Sequence, residues 1–162
     1  MRYVTRLPLW NLAWITCLGL VAVAATVYGQ SSATGGPLVG AWRVTGIADA
    51  NGAPITNPQP GLYIFTRQHY SFVRINGTRP LPDYPSNDKA TDADKVAVFN
   101  ALYLNSGTYT VTGNVIATKA MVAKSKFAIG GAGNQYEFAV NGNNLTLTQK
   151  PAGPVLKLVR LE

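Results

Sequence analysis

The sequence predicts an all-β fold, an eight-stranded antiparallel up-and-down barrel with one short helix, preceded by an N-terminal leader. Short runs in which apolar and polar residues alternate recur along residues 38–162, as expected of strands with one buried face. Turn signals such as Asn141-Gly142 separate several of these runs at hairpin spacing. Hairpins make neighbouring strands antiparallel, and eight such strands can close on themselves and enclose a small ligand. A two-sheet sandwich is the competing architecture.

Residues 1–29 have the layout of a secretory signal peptide. Arg2 and Arg6 precede a long apolar run, and Val27 and Gly29 are small enough to precede a cleavage site. We expect cleavage after Gly29 and an exported protein, either periplasmic or secreted. The alternative is an uncleaved leader that anchors the protein, because the apolar run is nearly long enough to span a bilayer.

The remaining chain divides into a flexible Ser/Gly-rich tail, residues 30–37, and the barrel domain, residues 38–162. The lone cysteine, Cys17, lies in the leader and lacks the small residue that precedes a lipidated cysteine, so no disulfide or lipid anchor is expected. The chain has 14 Lys and Arg against 7 Asp and Glu. Its densest basic cluster, Lys119, Lys124 and Lys126, has no interleaved aromatics, which favours a solvated strand edge over a nucleic-acid partner.

The first half of the domain contains three predicted strands, 38–48, 61–66 and 69–76. On the first, Gly40, Trp42 and Val44 share one face, and we expect the Trp42 face to point inward. Prolines exclude regular pairing over 53–60, which is predicted to be a loop at a barrel mouth. The second and third strands form a hairpin with a tight connection.

The single predicted helix covers residues 91–104. Thr91 has the chemistry of an N-cap and Asp94 stands where a capping box needs an acceptor. Apolar residues then recur at helical spacing: Val96, Phe99, Leu102 and Tyr103. We expect an amphipathic helix close to one mouth of the barrel.

The second half of the domain is predicted as strands joined by short turns. The predicted extended segments are 107–112, 115–123, 126–129, 135–140, 145–149 and 155–161. The Gly-rich stretch 130–133 is not followed by Lys-Ser/Thr, so it is interpreted as a hairpin loop and not as a phosphate cradle.

Few residues in the predicted domain favour catalysis or metal binding. His69 is the sole histidine, and without cysteine after the leader a nitrogen and sulfur metal site cannot form. The same shortage argues against a Ser-His-Asp arrangement. The acidic residues between 83 and 94 do not have the spacing of an EF-hand loop. We therefore predict no catalytic residue, no metal and no cofactor. His69 is interpreted as a surface turn residue, with a polar contact at the cavity rim as the alternative.

Aromatic residues on the strands are the better indication of function. Tyr70, Phe72 and Arg74 alternate onto one strand face, and aromatic pairs recur on later strands. Pockets for small molecules combine apolar walls with a few polar groups. The predicted ligand-binding residues are Tyr63, Tyr70, Phe72, Arg74, Tyr109, Tyr136 and Phe138. The alternative is that these side chains fill a solid core. If Tyr70 and Tyr109 line a cavity, their replacement should weaken binding.

Gly40, Trp42 and Arg160 are predicted to close one end of the barrel. Arg160 shares a face with two leucines of the last strand, Leu156 and Leu158, so its side chain should point inward. A guanidinium over a tryptophan face is favourable, which predicts a structural role for these residues.

Several segments together resemble the bacterial and fungal lipocalin-like domain family. They are Leu38-Val39-Gly40-Ala41-Trp42-Arg43-Val44, Gly61-Leu62-Tyr63-Ile64-Phe65-Thr66, Ser106-Gly107-Thr108-Tyr109-Thr110-Val111 and Leu145-Thr146-Leu147-Thr148. The resemblance implies a calycin-type barrel, with small-molecule binding or ring-forming biosynthetic chemistry as the associated activities. Family members often carry His or acidic residues on the strand after Gly-Thr-Tyr, whereas this chain has Val115-Ile116-Ala117-Thr118-Lys119-Ala120 there. That departure weakens the transfer of a catalytic function.

Three functions are therefore compared with the structure. The first is an exported protein that binds a small apolar or amphipathic molecule in the barrel. The second is an isomerase or cyclase that uses His69, Tyr70 or carboxylates as acid and base. The third is a solid-cored envelope protein without a ligand. We expect no nucleic-acid partner and membrane contact only through an uncleaved leader, and the sequence leaves the oligomeric state open.

Overall fold

The computed structural model describes residues 36–162. The predicted signal peptide 1–29, Cys17 and all but the last two residues of the predicted tail lie outside the described residues. The strands in the described part are β1 Gly40–Ala48, β2 Gly61–Phe65, β3 His69–Ile75, β4 Leu102–Thr112, β5 Val115–Ala123, β6 Gln135–Asn141, β7 Asn144–Lys150 and β8 Val155–Arg160. The helices are α1 Asp92–Ala101 and α2 Lys126–Gly130.

The eight strands described in residues 36–162 form a closed antiparallel barrel in sequence order. Each strand pairs with the next along the chain, and β8 returns to pair with β1. The predicted fold class is thus confirmed, and the sandwich alternative is excluded. The helix number is corrected from one to two. Neither helix of the described part is long and apolar enough to cross a membrane.

The two ends of the barrel differ because connections alternate between them in an up-and-down barrel. At one end, here called the hairpin end, short turns at 66–68, 113–114 and 142–143 join the strands, and β1 begins and β8 ends there. At the other, the loop end, lie the longer connections 49–60, 76–101 and 124–134 and the turn 151–154. Both helices belong to the loop-end connections. Any opening large enough for a ligand is therefore expected at the loop end.

The interior is filled by the inward residues of the alternating strands. Phe72 occupies the middle, with its ring centroid 4.2 Å from that of Tyr63 and 5.3 Å from that of Phe65. The other large buried side chains are Trp42, Ile116, Leu145, Leu147, Leu156 and Leu158. Burying such side chains stabilises the barrel by about 1.5–3 kcal/mol each before entropy is counted.

The fourth strand begins five residues before its predicted start, which shortens the predicted helix. Leu102 and Tyr103 pair with Ile75 and Arg74 as the first residues of β4, so α1 ends at Ala101. The capping box of Thr91 and Asp94 forms as predicted. No residue of α1 is buried, so the expected apolar face does not pack. Leu102 and Tyr103 are extended despite their helical spacing because tertiary pairing with β3 overrides weak local propensity.

Residues 126–129, predicted as extended, lie in helix α2. The pairing of β5 with β6 ends at Ala117 and Gln135, so the segment between these strands has no partner along most of β5. The Ser125 side chain accepts a hydrogen bond from the Phe127 amide and caps the first turn. A local helix satisfies the backbone where no strand is available. The other strand limits lie within two residues of the prediction.

Candidate ligand-binding pocket

The barrel wall is incomplete between β5 and β6. Their ladder holds only the pairs of Val115, Ile116 and Ala117, while β5 continues to Ala123. Thr118 and Ala120 follow Ile116 on the inward face of β5, beyond the last pair. The connection 124–134, which contains α2, passes over this gap. The arrangement leaves a lateral opening that leads from the solvent to the barrel interior.

A half-open pocket of about 360 Å³ lies in this opening. Its inner wall consists of Tyr70, Asn105, Thr118 and Ala120, each at most 7 % exposed. Its outer wall belongs to the connection between β5 and β6: Ser125, Phe127, Ala128, Gly131, Ala132, Gly133 and Asn134. The pocket thus lies between the buried core and the connection 124–134 of the loop end.

The inner wall is polar and its groups are paired. The Tyr70 hydroxyl donates to Asn105 Oδ1 at 2.5 Å. Burial raises the pKa of the Tyr70 phenol, and the neighbouring Thr118 side chain opposes that rise. Tyr70 therefore stays neutral at physiological pH and can present a hydroxyl to a bound molecule.

Thr118 and Asn134 fasten the outer wall to β5. The Thr118 hydroxyl donates to the Asn134 carbonyl at 3.0 Å and accepts from the Asn134 amide at 3.1 Å. Gly133 has a φ of +79°, and a Cβ there would collide with the Thr118 carbonyl. Glycine is needed at this point for the connection to approach the strand.

The rim of the pocket is apolar and exposed. Phe127 is 92 % exposed at the edge of the pocket, although it is a large aromatic residue. Ile129 on the same helix and Met121 on β5 are also exposed. Lys124 Nζ donates to the Phe99 and Asn100 carbonyls, which ties the start of this connection to the last turn of α1. Single exposed apolar side chains are common on protein surfaces, whereas a contiguous group of them can mark a binding site.

Of the seven predicted ligand-binding residues, Tyr70 lines the pocket. Tyr63, Phe72 and Tyr136 lie in the core, where Phe72 is stacked on Tyr63 and 5.9 Å from Tyr136 between ring centroids. Burial raises the pKa of Tyr63 and Tyr136 well above that of a free tyrosine, while the charge of Arg74 acts in the opposite direction. In this structure these three side chains contact one another and the rest of the core.

The other three predicted residues lie apart from the pocket lining. Tyr109 packs edge-on against Phe65 near the hairpin end, and its hydroxyl donates to the Thr66 carbonyl at 2.7 Å. Phe138 is half-buried against the core. Arg74 is half-buried, with its guanidinium carbon 5.0 Å from the centre of the Tyr103 ring. Ligand binding by these residues stays a prediction.

Most pocket residues were not predicted from the sequence. Asn105 follows the segment predicted as helix, and its place beside Tyr70 depends on the register of β3 with β4. The Gly-rich stretch 130–133 was interpreted only as a hairpin loop. Its position follows from the early end of the ladder between β5 and β6. The one local signal was the density of small residues between 128 and 133.

Gly40, Trp42 and Arg160 meet at the hairpin end. The Arg160 guanidinium carbon lies 4.0 Å from the Trp42 ring centre, and its nitrogens donate to the carbonyls of Val39 and Pro37. Trp42 Nε1 donates to the Leu38 carbonyl at 2.7 Å. Gly40 has a φ of +134°, and a Cβ there would lie 2.7 Å from Arg160 Nη1. The bend at Gly40 brings the chain over Trp42.

The pocket offers hydrogen bonds from neutral groups. Its polar side chains are Tyr70, Asn105, Thr118, Ser125 and Asn134. His69 is exposed at the start of β3 and does not line the pocket. Within residues 36–162 there is no cluster of three or more His, Cys, Asp or Glu that could hold a metal ion. The arrangement can bind and orient a molecule, and it gives no geometric support to acid–base catalysis by His69.

Comparison with known proteins assigns no family. No family model matches the sequence, and no curated protein matches it. The fold is similar to the solved structure of an uncharacterized protein from Bacteroides eggerthii DSM 20697. The two chains share 11 % identity with a TM-score of 0.44, over 76 % of this chain and 98 % of the other. A similarity at this level supports no inference about function.

Proposed function

We propose that the protein is an exported small-molecule-binding protein that holds an amphipathic molecule in the pocket between β5 and β6. One observation carries the proposal: the pocket joins a buried hydrogen-bonding wall, around Tyr70 and Asn105, to an exposed apolar rim at Phe127. A molecule with a polar part and an apolar part would match both surfaces. Its polar part would lie against Tyr70 and Asn105, and its apolar part against Phe127 and Ala128.

The size of the pocket is consistent with a small molecule. Its volume of about 360 Å³ lies at the lower end of typical ligand pockets, roughly 300–1,000 Å³. It would hold about a dozen waters at their share of liquid volume, roughly 30 Å³ each. That space weighs against the solid-cored alternative, although the aromatic middle of the barrel is filled.

Export and membership of the lipocalin-like domain family belong to the same proposal. The arginines and the apolar run of residues 1–29 support export. The order of the family-like segments, together with the closed eight-stranded barrel, supports the family. The enzyme alternative would need a titratable pair within the pocket, and none of the side chains that line it is His, Asp or Glu.

Calorimetric titration tests the proposal directly. Protein expressed from the full-length sequence is freed of co-purified molecules and titrated with decanoate and with 1-decanol, below the concentrations at which they aggregate. Saturable binding of at least one amphiphile in a one-to-one complex is expected. The absence of saturable binding for both compounds would contradict the proposal.

Substitutions of two alanines on β5 test whether the amphiphile binds in the pocket. Ala120 faces the pocket, whereas Ala117 faces the other side of the same strand. We expect Ala120→Phe to fill the pocket and weaken binding at least tenfold, while Ala117→Phe changes affinity less than twofold. Ala128→Phe fills the pocket from the opposite wall, and it replaces Ala120→Phe in this test if that variant does not fold. Unchanged affinity in a folded blocking variant would place the ligand elsewhere.

A pair of tyrosines gives a finer test. Tyr70 and Tyr109 each donate one hydrogen bond, but only Tyr70 lines the pocket. We expect Tyr70→Phe to weaken binding severalfold and Tyr109→Phe to leave it unchanged. The reverse result would move the binding site to the hairpin end.

A further inference from the structure

Arg74 places a cationic side chain among aromatic rings without an anionic partner. It follows Tyr70 and Phe72 on the inward face of β3, near the loop end. Its guanidinium lies over the Tyr103 ring, and its Nε is buried with no hydrogen-bond partner in the described part of the chain. The ion pairs found there are Lys89–Asp88, Lys95–Asp92 and Lys150–Glu137, and none includes Arg74.

An unpaired buried donor requires an explanation because it destabilises a fold. Leaving a buried donor without a partner costs about 1–3 kcal/mol, and more when the group is charged. The ring of Tyr103 recovers only part of that cost, roughly 0.5–2 kcal/mol. A bound water, ion or ligand is one of the explanations for such a group.

The surroundings of Arg74 would suit an anion. The Tyr103 and Tyr136 hydroxyl oxygens lie 3.5 Å apart, and the charge of Arg74 reaches both Tyr63 and Tyr136 electrostatically. Neutral phenols donate hydrogen bonds to anions, as does the guanidinium. The planar guanidinium matches the two oxygens of a carboxylate.

Arg74 lies close to the pocket but does not line it. Phe72 pairs with Asn105, and two residues along, Arg74 pairs with Tyr103. Two residues of a strand span about 7 Å. Asn134, which lines the pocket, donates through Nδ2 to the Tyr103 hydroxyl at 3.4 Å. The charge of Arg74 is therefore about one residue pair away from the Asn105 wall of the pocket.

We propose that Arg74, with the Tyr103 hydroxyl beside it, supplies the positive charge that attracts the anionic end of the molecule held at Tyr70 and Asn105, and that this end is a monocarboxylate. The proposal rests on the function proposed above and specifies its ligand class. A single guanidinium faces this part of the interior, so a singly charged group balances it better than a doubly charged phosphate. The apolar remainder of the ligand lies toward Phe127.

Affinities for decanoate and 1-decanol separate the head group from the chain. We expect the protein to bind decanoate at least tenfold more tightly than 1-decanol at neutral pH. Arg74→Met should remove this preference, and Arg74→Lys should retain part of it. Arg43→Met is the matched control, because Arg43 is exposed on β1, and it should keep the full preference.

Stability measurements on the same variants show whether Arg74 merely supports the fold. Because Arg74→Met removes an unpaired buried donor, the urea midpoint of the free protein should stay the same or rise. Equal affinity for both amphiphiles, or a preference that survives in folded Arg74→Met, would overturn the carboxylate proposal and leave the pocket in place. Failure of both amphiphiles to bind would overturn the proposed function and this inference with it.

Discussion

Arg160 connects three parts of the hairpin end through one side chain. It lies over Trp42 and donates to the carbonyls of Val39 and Pro37, so it holds the chain that precedes β1 across the barrel. A lysine would supply the charge but not the two forked donors.

Replacement of Arg160 should therefore destabilise the whole barrel. We expect Arg160→Met to lower the free energy of unfolding by ~2–4 kcal/mol, from the lost cation–π contact and charged hydrogen bonds. Arg160→Lys should recover only part of the loss. Urea denaturation followed by circular dichroism measures it, with Lys157→Met, exposed on the same strand, as the control. Equal stability of Arg160→Met and wild type would show that this end closes without Arg160.

The contact of Arg160 with Trp42 was predictable from residues alone, since strand alternation fixed the face of each. The pocket residues were not. Asn105 and Ala120 have no local feature that indicates a ligand, and only the registers of β4 with β3 and β5 bring them toward Tyr70 and Thr118. Arg74 was predicted on the correct face, but the absence of a partner at Nε is visible only in three dimensions.

At the scale of elements, α2 is the part of the molecule whose composition best matches a binding role. Phe127 and Ile129 lie exposed on a five-residue helix that has no buried residue. The Ser125 side chain caps the start of the helix. Beyond its end, the hydrogen bonds between Asn134 and Thr118 fix the chain against β5. A short helix with this little packing contributes more to the pocket than to stability.

Substitution of Phe127 should separate binding from stability. We expect Phe127→Ser to change the free energy of unfolding by less than about 0.5 kcal/mol, because its side chain is 92 % exposed. Its affinity for decanoate should fall severalfold, since the apolar rim is lost. Val96→Ser on α1, at an apolar side chain that is 58 % exposed and outside the pocket, is the control. If both variants bind as wild type does, the rim has no part in recognition.

The sequence predicted elements well where the signal was local. The turn at Asn141-Gly142 and the capping box of Thr91 and Asp94 depend on adjacent residues, and both formed. The start of β4 and the helix α2 depend on distant pairing. Leu102 is extended because it pairs with Ile75 of β3. Phe127 is helical because the pairing between β5 and β6 stops at Ala117 and Gln135, which leaves its segment without a partner strand.

At the scale of the whole molecule, buried phenols should make stability sensitive to alkaline pH. Burial raises the pKa of Tyr63, Tyr70, Tyr109 and Tyr136, whereas an unfolded tyrosine ionises near about pH 10. Above that pH the unfolded chain loses protons that the folded chain retains. Their contribution to stability is thus fully present below about pH 10 and is lost as the pH rises.

Urea denaturation at a series of pH values between about 8 and 11 tests this dependence. We expect the free energy of unfolding to fall steeply above about pH 10, by up to about 1.4 kcal/mol per pH unit for each buried tyrosine. Tyrosinate absorbance should rise together with unfolding. Tyr136→Phe should make the decline shallower. A flat profile up to about pH 11 would mean that these phenols ionise freely in the folded state.

We have proposed that a small amphipathic molecule binds in the gap between β5 and β6. Amide chemical shifts of ¹⁵N-labelled protein, recorded while decanoate is added, test it most directly. We expect saturable shifts concentrated at Thr118, Ala120 and residues 125–134, with little change around Trp42 and Arg160. Shifts that do not saturate, or that concentrate at the hairpin end, would contradict it.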